Sequence, residues 1–211
     1  MRLLILGASH GIGRETVREA LSAGHQVRAL ARNPGALAAG PDLEPVQGDA
    51  THPEDLRPAL DGVDAVILAV GLGRDVRRLV QRTTLFSDSA RALLPLMQEL
   101  GPKRLLAVTG FGAGNSASAM STVERLGHRA ILGRAYADKD VQEEMIRNSN
   151  LDWTLVRPVI LTNNAGTGRY KVLADPATWR NGLIARADVG HYLVRAAAEG
   201  ANTREAVVLA R

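Results

Sequence analysis

The sequence contains no cysteine in its 211 residues. This absence excludes a disulfide framework, zinc sites with cysteine ligands and catalysis by a thiol nucleophile. A chain of this length can bury a core that needs neither disulfides nor a structural metal. We therefore expect a single domain that spans residues 1–211.

Long hydrophobic runs are also missing. The N-terminal apolar run ends at Gly7, and no later stretch approaches the roughly 18 consecutive apolar residues of a membrane-spanning helix. We expect a soluble, cytoplasmic protein that has no membrane partner.

Aromatic residues make up only 3% of the chain, and lysine occurs only at positions 103, 139 and 171. The net charge of +4 comes from scattered arginines, and there are too few aromatic rings for base stacking, so we expect no nucleic-acid partner. The five histidines have no metal-ligand spacing, and we predict no metal site.

Short apolar runs alternate with amphipathic segments along the whole chain. This alternation predicts an α/β fold: a doubly wound, Rossmann-type parallel sheet with helices on both faces. The predicted strands cover residues 2–6, 26–30, 44–47, 65–70, 104–108, 153–156 and 206–209. The predicted helices lie near residues 12–23, 53–60, 85–100, 138–149 and 188–199.

Two segments interrupt this pattern. Residues 111–122 and 162–170 are small, polar and glycine-containing, and both follow predicted strands. Loops at the carboxyl ends of parallel strands form the ligand crevice of such a sheet. We expect substrate loops at 111–122 and at 162–187, with Asn163 as a substrate residue; the alternative is surface loops that bind no ligand.

A glycine-rich turn follows the first predicted strand and opens the first predicted helix. Glycines allow positive φ angles and a close approach of the backbone to phosphate, while the free N–H groups and the helix dipole favour a pyrophosphate. This context predicts binding of a nicotinamide dinucleotide. The predicted contact residues are Gly7, Ser9, His10, Gly11, Ile12 and Gly13.

The end of the second predicted strand indicates which dinucleotide is bound. NAD-selective sites place an acid there, whereas this chain has Arg32 and Asn33. A guanidinium pairs well with a 2′-phosphate, so we expect NADP(H) rather than NAD(H). The alternative for Arg32 is a solvated residue at the strand end.

Two further strand ends are predicted to contact the cofactor. Asp49 and Ala50 follow the third predicted strand, where a carboxylate can accept from the adenine amino group; capping of the next helix is the alternative for Asp49. Ala69, Val70 and Gly71 end the fourth strand and would lie under the ribose and phosphates.

The motifs together resemble the atypical short-chain dehydrogenase/reductases, in the NAD(P)H-binding group that includes biliverdin reductase B/flavin reductases and NmrA-like proteins. The resemblance spans nearly the whole chain. It rests on GASHGIG, ARNP, GDATHPEDL, DAVILAVG, LLAVTGFG, DKDVQEEMIRNSNLDWTLVRP and ARADVGHYLVRAA.

The resemblance implies several residues at the nicotinamide end. It places Thr109 beside the nicotinamide and turns Lys139 towards the cofactor. It also implies that the backbone of Arg157, Pro158 and Val159 contacts the nicotinamide amide. The spacing of the glycine turn departs from the atypical group at His10 and looks like that of short-chain enzymes with a Tyr-x-x-x-Lys pair.

That pair is absent. The residues four positions after Tyr136, Tyr170 and Tyr192 are aspartate, alanine and alanine. Tyr136 and Lys139 lie three apart and can share a helical face, so Thr109, Lys139 and Tyr136 are the candidate catalytic residues.

Three functions are compatible with these residues. The first is NADPH-dependent reduction of a conjugated or aromatic acceptor, such as a flavin, quinone or tetrapyrrole. In this function Phe111 would pack against the acceptor, and Arg74, Arg77 or Arg78 would bind an anionic tail of it. The alternative for the three arginines is a solvated helix face. The second is a non-catalytic NADP(H)-binding sensor of the NmrA-like kind. A nucleotide-sugar epimerase or dehydratase ranks last. The sequence leaves open whether the protein is a monomer or a homo-oligomer.

Overall fold

Strands and helices alternate in the computed structural model, which describes residues 1–73, 81 and 83–211. The strands are β1 (Arg2–Leu6), β2 (Gln26–Ala31), β3 (Leu43–Gln47), β4 (Ala65–Leu68), β5 (Arg104–Val108), β6 (Asp152–Pro158), β7 (Ile160–Thr162), β8 (Lys171–Leu173), β9 (Leu183–Ala185) and β10 (Glu205–Ala210). The helices are α1 (Gly11–Ser22), α2 (Pro53–Ala59), α3 (Leu85–Leu100), α4 (Thr122–Arg147) and α5 (Arg186–Glu199). Short 3₁₀ turns lie at Pro34–Ala36, Gly114–Ala119 and Pro176–Thr178.

Eight of these strands form one sheet in the order β3-β2-β1-β4-β5-β6-β10-β8. Seven of the eight run parallel, and only β8 pairs antiparallel, with β10. The strand order reverses between β1 and β4, and ligands of such sheets bind at this reversal, beyond the carboxyl ends of the strands. The predicted doubly wound fold is confirmed.

The core has two layers because both faces of the sheet are covered. In β1, Leu3 and Ile5 pack on one side with residues of α1 and α5, such as Val17 and Leu193. Leu4, one position along the strand, packs on the other side against α2 and α3. Successive side chains of a strand point to opposite faces, so a strand covered on both faces reads as a continuous apolar run.

One predicted helix is too short. The sequence pattern places it near residues 138–149 with a loop up to residue 122, whereas α4 begins at Thr122 and runs for 26 residues. A capping box starts it: the Ser121 hydroxyl accepts from the Glu124 N–H at 3.3 Å, and Glu124 Oε2 accepts from the Ser121 N–H at 2.9 Å. The Ser-x-x-Glu spacing is the sequence signal for this start.

The segment 162–187 is also more ordered than a plain loop. β8 adds to the edge of the large sheet, while β9 pairs in parallel with β7 as a separate two-stranded sheet.

None of the helices in the described ranges is long and apolar enough to cross a membrane.

Helices α1 and α5 meet closely at Gly190. A Cβ added there would lie 2.9 Å from the backbone N of Thr16. We expect Gly190→Ala to lower the free energy of unfolding by about 1–3 kcal/mol, because the two helices must move apart. Urea denaturation measures the change.

The matched control is Gly127→Ala in α4, where an added Cβ meets nothing within 4 Å. This change is expected to raise the free energy of unfolding by about 0.5–1 kcal/mol, since alanine favours the helix. If both variants unfolded at the same urea concentration, close packing at Gly190 would be ruled out.

Candidate functional site

The glycine turn after β1 is packed directly against the end of β4. Gly7 has φ +83°, and a Cβ there would lie 2.6 Å from the carbonyl oxygen of Ala69. A Cβ on Gly13 would overlap the carbonyl oxygen of Gly7. Both glycines are needed because backbone approaches backbone at these points.

Gly11 has a different environment. It is exposed, has φ +56°, and an added Cβ would have only the Nε atom of Arg186 within reach, at 4.0 Å. His10 occupies the N-cap position without a side-chain cap, and the first turn of α1 carries no acid. The first N–H bonded within α1 is that of Arg14, to the His10 carbonyl at 3.3 Å. The N–H groups of residues 11–13 have no partner among the described residues and can therefore bind a ligand. Backbone donors at an open helix N-terminus fit a dinucleotide pyrophosphate.

Ser9 and His10 precede this helix. Their side chains contact each other, with 2.9 Å between the Ser9 Oγ and His10 Nδ1 atoms. Ile12 is partly buried in the first turn of α1.

The residues predicted to hold the adenosine lie at the ends of β2 and β3. Arg32 is exposed, and its charge acts on Asp49, which places the two side chains near each other. Burial raises the pKa of Asp49, but hydrogen bonds from Thr51 and the Arg32 charge outweigh it and lower the pKa overall. Asn33 caps the turn at Pro34, since its Oδ1 accepts from the Gly35 N–H at 3.2 Å.

Asp49 also takes part in local structure. Its Oδ1 accepts from both the N–H and the hydroxyl of Thr51, at 3.0 and 2.8 Å. Ala50 is buried, Ala69 and Val70 are partly buried, and Gly71 is exposed just beyond β4. The predicted adenosine and ribose residues therefore line the carboxyl edge of neighbouring strands.

Helix α4 brings the three candidate catalytic residues together beside the end of β5. The ammonium of Lys139 donates to the carbonyl oxygen of Thr109. The Thr109 hydroxyl is buried and donates to Glu143 Oε1 at 2.7 Å. The Tyr136 hydroxyl lies against Gly110, where a Cβ would overlap it.

Burial sets the protonation of this group. It raises the pKa of Tyr136 to about 12, and the nearby charges of Glu143 and Asp140 add to the shift. Burial lowers the pKa of Lys139 to about 8, against the opposing effect of the neighbouring carboxylates. At neutral pH Tyr136 therefore holds its proton firmly, while Lys139 is charged but close to titrating.

A buried ion pair that was not predicted from the sequence lies beside Thr109, Tyr136 and Lys139. Arg157 Nε donates to Glu143 Oε1 at 2.9 Å and Nη2 donates to Oε2 at 2.5 Å, with both side chains almost fully buried. Arg157 Nη1 also donates to Asn115 Oδ1 at 2.9 Å. A fully buried arginine near the end of an apolar strand requires a buried partner, and this requirement was the available signal.

His128 is a second residue near this site that was not predicted from the sequence. Its ring meets the ring of Tyr136 edge to face, with 4.1 Å between centroids. Burial lowers the pKa of His128, and the Lys139 charge lowers it further. His128 Nε2 is buried and lacks a hydrogen-bond partner within the described ranges.

Other predicted residues have structural contacts of their own. Phe111 is buried in the core, and its N–H donates to the Pro158 carbonyl at 3.0 Å. Val159 is buried, and its N–H donates to the Leu209 carbonyl at 3.2 Å. Asn163 is exposed and accepts from Arg186 Nη1 at 2.7 Å.

The three arginines proposed to meet an anionic tail, Arg74, Arg77 and Arg78, lie outside the described residues. Over the ranges that the structure does describe, no group of three or more histidine, aspartate and glutamate side chains is arranged to hold a metal ion.

Sequence comparison identifies the family of this fold and turn. A family model described as NAD(P)H-binding matches residues 7–200. The chain belongs to this family. The predicted resemblance to NAD(P)H-binding atypical short-chain dehydrogenase/reductases is confirmed.

A relative from Bacillus subtilis (strain 168), the uncharacterized sugar epimerase YhfK, is 26% identical over 202 residues, which cover 92% of this chain and 86% of the relative. Two other curated relatives match at 41% and 40% identity over 69 and 65 residues, and these matches span only 22% and 18% of the relatives' own lengths.

Solved structures share the fold. The anaerobillin reductase ChuY from Escherichia coli O157:H7 superposes with a TM-score of 0.80 at 21% identity, covering all of this chain and 97% of that one. A short-chain dehydrogenase/reductase from Veillonella parvula, solved in complex with NADP, gives a TM-score of 0.80 at 16% identity, covering 100% and 94%.

We expect Glu143→Gln to lower the free energy of unfolding by about 3–5 kcal/mol, because it leaves the Arg157 charge buried without a counter-ion. The control is Glu144→Gln, an exposed neighbour on the same helix, which is expected to change the stability by less than about 0.5 kcal/mol. Urea denaturation compares the two.

A double variant, Glu143→Leu with Arg157→Met, tests the same pair without leaving the Arg157 charge in place. It is expected to lose less stability than Glu143→Gln, since both charges are removed together. Equal stability of Glu143→Gln and Glu144→Gln would contradict the role of the pair.

Proposed function

We propose that the protein is an NADPH-dependent reductase of a conjugated or aromatic acceptor, such as a flavin, a quinone or a tetrapyrrole-like molecule. In this proposal the glycine turn, Arg32, Asn33 and the ends of β3 and β4 hold the cofactor. Thr109, Tyr136 and Lys139 lie at the nicotinamide end, and the segments 111–122 and 162–187 contact the acceptor.

The observation that carries the proposal is the protonation of Tyr136. Alcohol oxidation by short-chain enzymes needs a tyrosine that readily gives up its proton to act as a base, with a lysine four residues later. Here the lysine is three residues later, and burial holds the pKa of the tyrosine at about 12. A protonated Tyr136 cannot act as a base at neutral pH, but it can donate a hydrogen bond.

Reduction of a conjugated ring places smaller demands on the protein. The reduced cofactor, when bound, supplies a hydride. An acceptor of this class takes the hydride at an exposed ring atom and can draw its proton from water, so correct positioning supplies much of the rate. The Lys139–Thr109 hydrogen bond holds the end of β5 in place for this purpose.

The names of two similar solved structures agree with this proposal. ChuY is an anaerobillin reductase, and the Veillonella protein binds NADP. The name of YhfK instead favours a sugar epimerase, which we rank below reduction.

A non-catalytic NADP(H) sensor is the second candidate. Two hydrogen bonds support it: the Thr109 hydroxyl donates to Glu143, and the Lys139 ammonium donates to the Thr109 carbonyl. In a sensor these groups would hold the fold, and the bound cofactor would set the affinity for a protein partner.

Loss of NADPH absorbance in the presence of a panel of flavins, quinones and redox dyes separates the two candidates. We expect turnover with at least one ring acceptor and none with UDP-sugars. Micromolar NADPH binding without turnover on any acceptor would favour the sensor, and conversion of a UDP-sugar would favour the epimerase.

Arg32→Asp tests the cofactor preference. We expect it to weaken NADPH binding by about 10-fold or more, since charge-assisted hydrogen bonds to a 2′-phosphate contribute about 1.5–3 kcal/mol. NADH lacks this phosphate and should bind within about threefold of the wild type. Arg91→Asp, an exposed arginine of α3, is the control and should affect neither cofactor. Equal losses for NADPH and NADH with Arg32→Asp would refute contact with the 2′-phosphate.

A further inference from the structure

A cleft of about 590 Å³ opens beside the glycine turn. Its walls are the outer face of α1, the segment 163–168 after β7 and the start of α5. The cleft begins at His10 and Gly11 and extends along α1 as far as Ser22. Its mouth therefore adjoins the place where a dinucleotide pyrophosphate is expected.

Arg186 lies at this mouth. Its Nε atom is 4.0 Å from the position that a Cβ on Gly11 would take, so its guanidinium lies close to the backbone of the turn. The side chain is partly buried, and Nη1 donates to Asn163 Oδ1 at 2.7 Å. A phosphate oxygen bonded to the N–H groups of residues 11–13 would be within reach of the remaining donors.

The surroundings of Arg186 are held in place. Asp188 is buried, and its Oδ1 accepts from the N–H groups of Thr167 and Gly168 at 2.7 and 2.8 Å. Gly166 packs on the start of α5, since a Cβ there would lie 3.0 Å from the Cβ of Ala187. These contacts fix the segment that presents Asn163 to the guanidinium.

Among the described residues, the acids around the mouth do not pair with Arg186. Of the acids that line the cleft, Glu15 pairs with Arg18 at 2.9 Å and Asp188 is committed to backbone N–H groups. Glu19 lies two turns further along α1 from the mouth. Within the ranges that the structure describes, no ion pair of Arg186 is found, and its hydrogen-bond partner is a neutral amide.

The position of Arg186 is also unfavourable for its own helix. It is the first residue of α5, and the N-terminal end of a helix carries partial positive charge that disfavours a cation. Neither helix stability nor an ion pair accounts for an arginine at this position. An anion bound at the adjacent turn would account for it.

We propose that Arg186 binds the pyrophosphate of the cofactor, at the Gly11 end of the glycine turn. This inference rests on the dinucleotide binding of the proposed function and adds a residue from the far end of the chain. The guanidinium supplies charge and forked donors, while the backbone of residues 11–13 supplies N–H groups. Asn163 acts as a positioning residue that aims the guanidinium.

Arg186→Gln tests the proposal by fluorescence titration with NADPH and with NADH. Both cofactors carry the pyrophosphate, so we expect the Kd of each to rise by about 10-fold or more. Adenosine 2′-monophosphate lacks the pyrophosphate and should bind as it does to the wild type. The pattern differs from that of Arg32→Asp, which should affect NADPH alone.

Arg18→Gln is the matched control, since Arg18 lines the same cleft further from the turn and is paired with Glu15. It should leave both Kd values within about twofold of the wild type. Should Arg186→Gln fail to fold, as judged by urea denaturation, Arg186→Lys keeps the charge but loses the fork, and an intermediate loss is expected.

Unchanged binding of both cofactors by a folded Arg186→Gln variant would overturn the role of Arg186, while leaving dinucleotide binding intact. Loss of NADPH alone would also overturn it, because the effect would then concern the 2′-phosphate. Failure of the wild type to bind either cofactor would instead remove the proposed function itself.

Discussion

The buried ion pair of Glu143 and Arg157 is the interaction on which the candidate site depends. Removing two charges from water is costly, and the cost is recovered only when the geometry is good and the remaining polar atoms are satisfied. Here the bidentate pair, the Thr109 hydroxyl and Asn115 meet that condition. Gly114 packs closely against this pair, since a Cβ there would lie 2.6 Å from Arg157 Nη2. One polar cluster thus joins α4, the ends of β5 and β6, and the turn at 114–119.

The ion pair also determines where α4 places its other side chains. Arg157 fixes the position of Glu143 on α4. Lys139 lies one helical turn before Glu143 and contacts the Thr109 carbonyl, and Tyr136 lies a further turn before it and contacts Gly110. On a neighbouring face, Asp138 accepts from the N–H of Phe86 at 2.8 Å and fixes the start of α3. The positions of Tyr136 and Lys139 therefore follow from the register of one helix, and burial in that register shifts the pKa of both side chains.

The sequence predicted the features that local patterns encode. The apolar runs placed seven strands, and the glycines at 7 and 13 marked a turn whose close backbone packing the structure shows. The start of α4 was missed because residues 122–137 lack a clear apolar stripe, although Ser121 and Glu124 provided the cap signal. The pairing of Arg157 with Glu143 and the approach of Arg186 to Gly11 were not predictable, because these residues come close only after the sheet has formed. Contacts between distant residues depend on tertiary packing, which no window of sequence contains.

The two ends of the expected cofactor path are therefore built in different ways. In the proposed site, the residues assigned to the adenosine end, such as Arg32 and Asp49, lie at strand ends, and their side chains are exposed or bonded only to near neighbours. The residues assigned to the nicotinamide end lie beside a buried charge pair, since Thr109 donates to Glu143 and Glu143 pairs with Arg157. A change at the first end alters few other contacts, whereas a change at the second disturbs several elements at once. If the proposed site is correct, changes to the adenosine residues cost the fold little, whereas changes to the nicotinamide residues also affect the stability of the core.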